Sequence, residues 1–258
     1  MSLGRYKTAG EILERVGIEA GIGSIVNPFA SSNTVWRRLV AYLASIGARL
    51  AAEYPWPNLI QDAVFIKATG VWTVVPTGWS QVAALDEFYV PADFDSIVRD
   101  VNWDVDGQTP LGDSLNHAQY VYRTVLIGMT VWVEYRQDTN KVWFMPVPFP
   151  DTTIRLSYNS RAWVRPAAAG LGNGQSLGPT GWDTPEAVGD WVLFPPTVIE
   201  AALLLEWKKK TGQNTAQAQK DFDDIISVFV SKTPARVLSL DGRGPRRPIN
   251  VPDTGYGS

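Results

Sequence analysis

Residues 49–68 read RLAAEYPWPNLIQDAVFIKA, and they mark where one kind of structure gives way to another. Up to Glu53 the stretch is alanine- and leucine-rich, suited to the last turns of a helix. Pro55 cannot continue a helix and drives Tyr54 into an extended conformation. From about Asp62 onward β-branched and aromatic residues take over, as in a strand. The chain therefore changes from helix to sheet within a few residues.

Working back from this point, a helix starts near Ser32-Asn33 with the apolar stripe Trp36, Leu39, Val40, Leu43, Ile46 and Leu50, spaced three and four apart. An earlier, shorter helix begins at Thr8-Ala9-Gly10-Glu11, which matches a capping box, and buries Ile12, Leu13 and Val16. Gly21, Gly23 and Asn27-Pro28 break it. Working forward, short β-rich runs recur over 63–68, 71–75, 88–90, 96–101, 119–127, 130–135, 142–145 and 153–158, separated by Gly, Pro, Asp and Asn turns. Ile127-Gly128-Met129 and Asp138-Thr139-Asn140 read as hairpin connections.

Residues 165–190 are rich in Gly, Ala and Pro and read as a linker. Helix returns after Pro195-Pro196 with Val198, Ala201, Ala202 and Leu205, then Lys208–Lys210 and a Gly212 stop. Asn214 caps a last helix with the stripe Ala218, Phe222, Ile225, Ile226 and Phe229, ended by Thr233-Pro234. The remaining residues lack periodicity and read as an extended arm. The expected fold is α+β: a four-helix bundle with a β-sandwich or barrel-like domain inserted between its second and third helices, and a C-terminal arm. The expected boundaries are 1–60 and 194–233 for the two halves of the bundle, 61–164 for the β-rich domain, 165–193 for the linker and 234–258 for the arm.

The 258-residue chain has 45% hydrophobic and 19% charged residues, enough to bury a sizeable core. Its net charge of −3 argues against a dedicated nucleic-acid binder. Cysteine is absent, which excludes disulfides, thiolate nucleophiles and zinc–cysteine sites. No apolar run reaches the length of about 18 residues that a membrane span needs, and the N-terminus lacks a signal-peptide core. The expectation is a protein made in the cytoplasm without membrane contact. Eleven tryptophans are an unusual number and suit packing surfaces or interfaces.

Catalytic chemistry finds few candidates. His117 is the sole histidine and lies in a polar turn. Asn102, Asp104 and Asp106 before Gly107, with Asp113 beyond, resemble half of a calcium loop, but Asn stands at the first position and Asp at the closing one, so an acidic turn explains them as well. Asp93/Asp95, which flank Phe94 in a turn, and Asp223/Asp224 are paired carboxylates that could serve glycoside hydrolysis, though Asp223 and Asp224 fall on the polar side of a helix. Gly170-Leu171-Gly172-Asn173-Gly174 lacks the spacing and the strand–helix context of a dinucleotide fingerprint. The expectation is a protein that is not an enzyme and holds no cofactor or metal.

Four stretches together carry a family resemblance. They are Leu50–Pro57, ending in Glu53-Tyr54-Pro55-Trp56; Phe88–Asp95, with Pro91, Asp93 and Phe94; Val142–Pro148, with Pro146 and Pro148, continued by Ile154–Tyr158 and Trp163; and Asp190 with Phe194-Pro195-Pro196, followed by Trp207-Lys208 and Thr211-Gly212. In order and spacing, from about residue 30 to 240, the chain resembles the head-to-tail adaptors of short-tailed bacteriophages, which include the tail tubular A-type proteins. The stretch 167–181 is longer than the family's usual connection.

The resemblance implies a structural virion protein at the head–tail junction. It implies a twelve-subunit ring, a portal partner above, a nozzle or tail tube below, and genomic DNA passing through the channel without sequence readout. It also implies that the C-terminal arm docks on the portal. In this sequence the arm offers Arg236, Val237, Leu238, Leu240, Arg243, Arg246 and Arg247, where aliphatic side chains can fill grooves and guanidinium forks can pair with carboxylates. A solvated tail explains the same residues without a partner. The competing class is a Trp-rich glycan-binding or cell-wall-degrading virion module.

Overall fold

A computed structural model describes residues 6–54, 56–82, 86–99, 101–112, 133–138, 140–145, 151–167 and 183–232. Helices α1 (Ala9–Glu19), α2 (Thr34–Glu53), α3 (Pro196–Thr211) and α4 (Ala216–Lys232) start and stop where local chemistry dictates. The Thr8 hydroxyl accepts from Glu11 N while the Glu11 carboxylate accepts from Thr8 N, closing the capping box at α1. Asn33 Oδ1 accepts from Val35 N at 2.9 Å to cap α2, and Tyr54 leaves it in an extended conformation (φ −129°, ψ 140°). Gly212 ends α3 in the left-handed region that only glycine enters without strain (φ 71°). Asn214 Oδ1 accepts from Ala216 N at the start of α4.

These helices do not form a four-helix bundle. The described residues make a mixed α+β protein with three antiparallel sheets. Helix α3 has no polar face toward solvent over most of its length: Val198, Ile199, Ala202, Leu203, Leu205 and Trp207 are buried on different sides of it. A helix apolar all round is an enclosed element rather than one member of a ring of equals. Helices α1, α2 and α4 each pack on it, and a small sheet covers it further.

That sheet has the order β1 (Lys7–Thr8), β13 (Trp191–Val192), β12 (Val164–Arg165) and brings Val164 and Val192 into the same core, next to Trp163 and Phe194. Residues 164–167 and 183–193, inside or at the edge of the stretch read as linker, are thus built into the helical unit. Their strands are two residues long, too short to show alternation in sequence.

The chain passes from α2 through a 3-10 turn (Pro57–Leu59) into the inserted unit. There β2 (Ile60–Ala68) and β11 (Thr152–Ser160) pair antiparallel from Thr152↔Lys67 to Asn159↔Ile60. They are the centre of a sheet that also holds β3 (Val71–Val74), β6 (Phe94–Ile97), β7 (Trp103–Asp104) and β8 (Thr109–Pro110). A second sheet has the order β4 (Ser80–Gln81), β5 (Glu87–Tyr89), β10 (Lys141–Met145), β9 (Glu134–Asp138).

The two sheets face each other across an aromatic core. Phe65 lies at its middle, 4.7 Å from Phe88 and 5.4 Å from Phe144 between ring centroids, with Trp72 and Trp79 edge-on to it. This core is distinct from that of the helical unit. The run expected over 119–127, the turn at 127–129 and His117 lie outside the described residues. The strand expected over 96–101 lies instead over Phe94–Ile97, and the Asn102 side chain donates to Val98 O just beyond it.

Candidate functional site

The stretches that carry the resemblance pack on one another in space. Trp56 is fully buried and donates Nε1–H to Leu50 O at 2.7 Å, which fixes the ring at the end of α2. Its ring lies 5.0 Å from Phe194, in a T-shaped contact, and 4.6 Å from Phe229. Phe194 in turn stacks on Trp163 at 5.5 Å. Trp163 lies so close to α2 that a Cβ on Gly47 would fall 2.0 Å from its ring, which is why glycine stands there. The first stretch and the last are therefore one packed unit.

Asp190 is 1% exposed and anchors that unit through hydrogen bonds. Its carboxylate accepts from Glu186 N at 2.8 Å, Ala187 N at 2.7 Å and Ala167 N at 3.3 Å, while its backbone carbonyl accepts from Ala9 N at 2.7 Å. One residue thus ties together two loop segments and the first turn of α1.

The second and third stretches meet in the sandwich. Pro91 O accepts from Phe94 N to close a turn. Asp93, nearly buried, accepts from the Ser160 hydroxyl at 2.6 Å, and its carbonyl accepts from Arg161 N. The Arg161 guanidinium donates twice to Phe94 O. Phe94 stacks on Tyr158 at 5.5 Å, and Trp79 stands edge-on to both rings. Pro91, Asp93, Phe94 and Tyr158 are therefore gathered at one place, whereas Pro146, Pro148 and the arm residues Arg236, Val237, Leu238, Leu240, Arg243, Arg246 and Arg247 lie outside the described residues.

Burial raises the Tyr158 pKa well above the usual phenol value, and the charge of Asp93 and a hydrogen bond to it push the same way. A phenol whose pKa is higher in the folded state stabilises the fold below the unfolded value near 10 and loses that contribution as pH rises. The native protein is expected to lose stability above about pH 10, and Tyr158→Phe to flatten that loss, as read by thermal melts across the alkaline range. Identical alkaline profiles would show that Tyr158 is free to ionise.

The other candidates are engaged in local structure. Asp93 and Asp95 do not form a carboxylate pair: the first is buried on Ser160, the second exposed beside Ser96. Asn102 Oδ1 accepts from Ser157 N, and Asp104 Oδ1 accepts from Gly107 N and the Thr152 hydroxyl, so these oxygens fasten the turn to β11. Asp113 lies outside the described residues. Among the described residues no group of three or more His, Asp or Glu could hold a metal ion. Asp223 accepts from Gln219 on the exposed side of α4, and Asp224 is exposed there too.

Trp72 and Trp79 are core residues, Trp103 is 44% exposed, and Trp143 is flanked by the cations of Arg136 and Lys141. Trp132 and residues 170–174 lie outside the described residues. Sequence reasoning missed Glu200, whose buried carboxylate takes Lys7 at 2.8 Å and Arg15 at 3.2 Å. An acid flanked by Ile199 and Ala201 in an apolar helix was the available signal. It also missed Ser160 and Arg161, for which no local pattern speaks.

No protein-family model matches the chain, and no curated protein matches it. Among the described residues no helix is long and apolar enough to cross a membrane.

Proposed function

We propose that this chain is a structural virion protein, a head-to-tail adaptor of a short-tailed bacteriophage, without catalytic activity. The observation that carries this reading is the packing of the four resembling stretches on one another, the first with the fourth around Trp56 and Phe194, the second with the third around Phe94 and Tyr158, with Trp163 at the end of the third joining the first pair. Residues that resemble a family only in linear order would have no reason to meet. Their meeting supports the idea that they are shared because they set the same framework.

In this reading copies of the chain form a ring, twelve by the family's pattern, through heterologous contacts between identical subunits. DNA passes through the ring, the arm latches the portal through its aliphatic and arginine side chains, and another face receives the nozzle. An arm that orders only on binding covers a large surface with few rigid contacts.

The test mixes the purified protein with portal rings and weighs the product by native mass spectrometry, beside a chain ending at Thr233. The full chain is expected to add in a fixed, saturable stoichiometry and the shortened chain to fail. If neither binds, the adaptor reading falls, and exposed Trp103 makes purified host glycan the next ligand to try. If both bind equally, the adaptor stands and the role given to the arm is wrong.

A further inference from the structure

Many cations among the described residues are paired with acids. Lys7 and Arg15 share Glu200, Arg49 lies between Glu53 and Glu206, Lys67 pairs with Asp86 and Arg136 with Asp138. Lys141 pairs with Glu87, Arg155 with Asp62, Arg161 with Asp95, and Lys210 with Glu206. Arg37, Arg38, Lys208, Lys209 and Lys220 are different: none has an acidic partner among the described residues. Arg99 and Arg165 share that property but lie elsewhere.

These five fall at one end of the helical unit. Helices α2 and α3 run antiparallel, since Trp56 just beyond α2 meets Phe194 just before α3, and Tyr42 meets Trp207. The opening turns of α2, with Arg37 and Arg38, therefore lie beside the last turn of α3, with Lys208 and Lys209. The short link through Gly212 leads straight into α4, whose second turn carries Lys220. This end is remote from the sandwich, which joins at the other end of α2. All but half-buried Lys208 are exposed.

Of the acids nearby, Glu206 serves Arg49 and Lys210, and Glu19 holds Arg15. Asp221, Asp223 and Asp224 are exposed and keep their charge, the first two accepting only from neutral Gln217 and Gln219, so they offset Lys220 and the local excess rests on Arg37, Arg38, Lys208 and Lys209. The lysines suit the negative end of the α3 dipole, but Arg37 and Arg38 stand against the dipole of α2, so the helix itself does not explain them.

We propose that this end of the helical unit binds the phosphodiester backbone of duplex DNA without sequence preference. The net charge of −3 averages over the chain and conceals the local excess. Phosphate binding needs unpaired cations and little else, whereas a protein interface needs a buried apolar anchor and is depleted in lysine. Most large apolar side chains left exposed lie on the sandwich; on the helical unit Ile18, Val26 and Val228 are exposed, scattered over α1, the loop before α2 and α4. One copy reaches few phosphates and binds weakly. The proposal goes beyond the adaptor reading and does not rest on it, because its test needs no portal.

The test is fluorescence anisotropy of a labelled DNA duplex against salt. The full native chain is compared with the Arg37→Gln/Arg38→Gln/Lys208→Gln/Lys209→Gln variant and with an arm variant, Arg236→Gln/Arg243→Gln/Arg246→Gln/Arg247→Gln. The slope of log K against log salt is expected to flatten by roughly 3–4 in the helix-end variant, at about 0.9 for each phosphate no longer neutralised. The arm variant keeps the native slope. If the fourfold variant melts early, Arg37→Gln/Arg38→Gln replaces it, with about half the change. The proposal is overturned if the native chain leaves the duplex free at low salt, if only the arm variant loses binding, or if poly-L-glutamate binds where DNA does not.

Discussion

Asp190→Ala is expected to destabilise the protein by about 3–5 kcal/mol, seen as a lower urea midpoint at unchanged slope. The carboxylate accepts three backbone N–H groups, from Ala167, Glu186 and Ala187, at a site with 1% exposure. Alanine removes three hydrogen bonds to a charged acceptor, each worth about 1.5–3 kcal/mol, although Ala167, Glu186 and Ala187, which carry the donors, are themselves exposed. The effect spreads, because the same residue's carbonyl holds the first amide of α1. Asp190→Asn keeps one acceptor oxygen and turns a donor toward donors, so it should fall between native and alanine. A loss below about 1 kcal/mol for alanine would mean that water reaches these amides and that Asp190 does not organise the loop.

Phe65→Ala is expected to remove about 3–5 kcal/mol from the sandwich. The ring is fully buried and is touched by Trp72, Trp79, Phe88 and Phe144, residues drawn from both facing sheets and the turns between them. A cavity there removes packing from every layer at once, and the short strands around it have little else to hold them. Because the helical unit has its own core, the loss should appear first in near-UV dichroism and tryptophan emission, with the helical signal retained to higher urea. A single coincident transition in both signals would show that the two cores unfold as one. Asp190→Ala belongs to the helical unit, so the double variant should show additive losses.

The helix ends were legible because capping is local: Thr8 with Glu11, Asn33, Tyr54 before Pro55, Gly212 and Asn214 all act as their neighbours in sequence dictate. The alternation over 63–68 likewise places Ala63 and Phe65 inward. What the sequence hid is long-range. Helix α3 has apolar residues on every side, so any stripe chosen along it, such as Val198, Ala201, Ala202 and Leu205, looks like a single buried face. Ile199, Leu203 and Trp207 then go uncounted, and an enclosed helix reads as an equal partner in a bundle. The small sheet exists only through pairings such as Lys7↔Val192, which no local window contains. The site residues stood out through their resemblance to a family, not through spacing, and their partners Ser160 and Arg161 gave no sign of their roles.

The sandwich leaves and re-enters the helical unit on neighbouring strands, with Ile60 paired to Asn159 across the junction. Two chain ends already held side by side ask almost nothing of what lies between them, since closing them carries no further loop entropy. For the gene, this makes the stretch between them a replaceable cassette. Insertions, trimming or wholesale exchange there leave the packing of the helical core untouched. Lineages sharing the helical unit are thus free to diverge in the sandwich, and similarity between distant descendants would persist in the two flanks while fading in the middle.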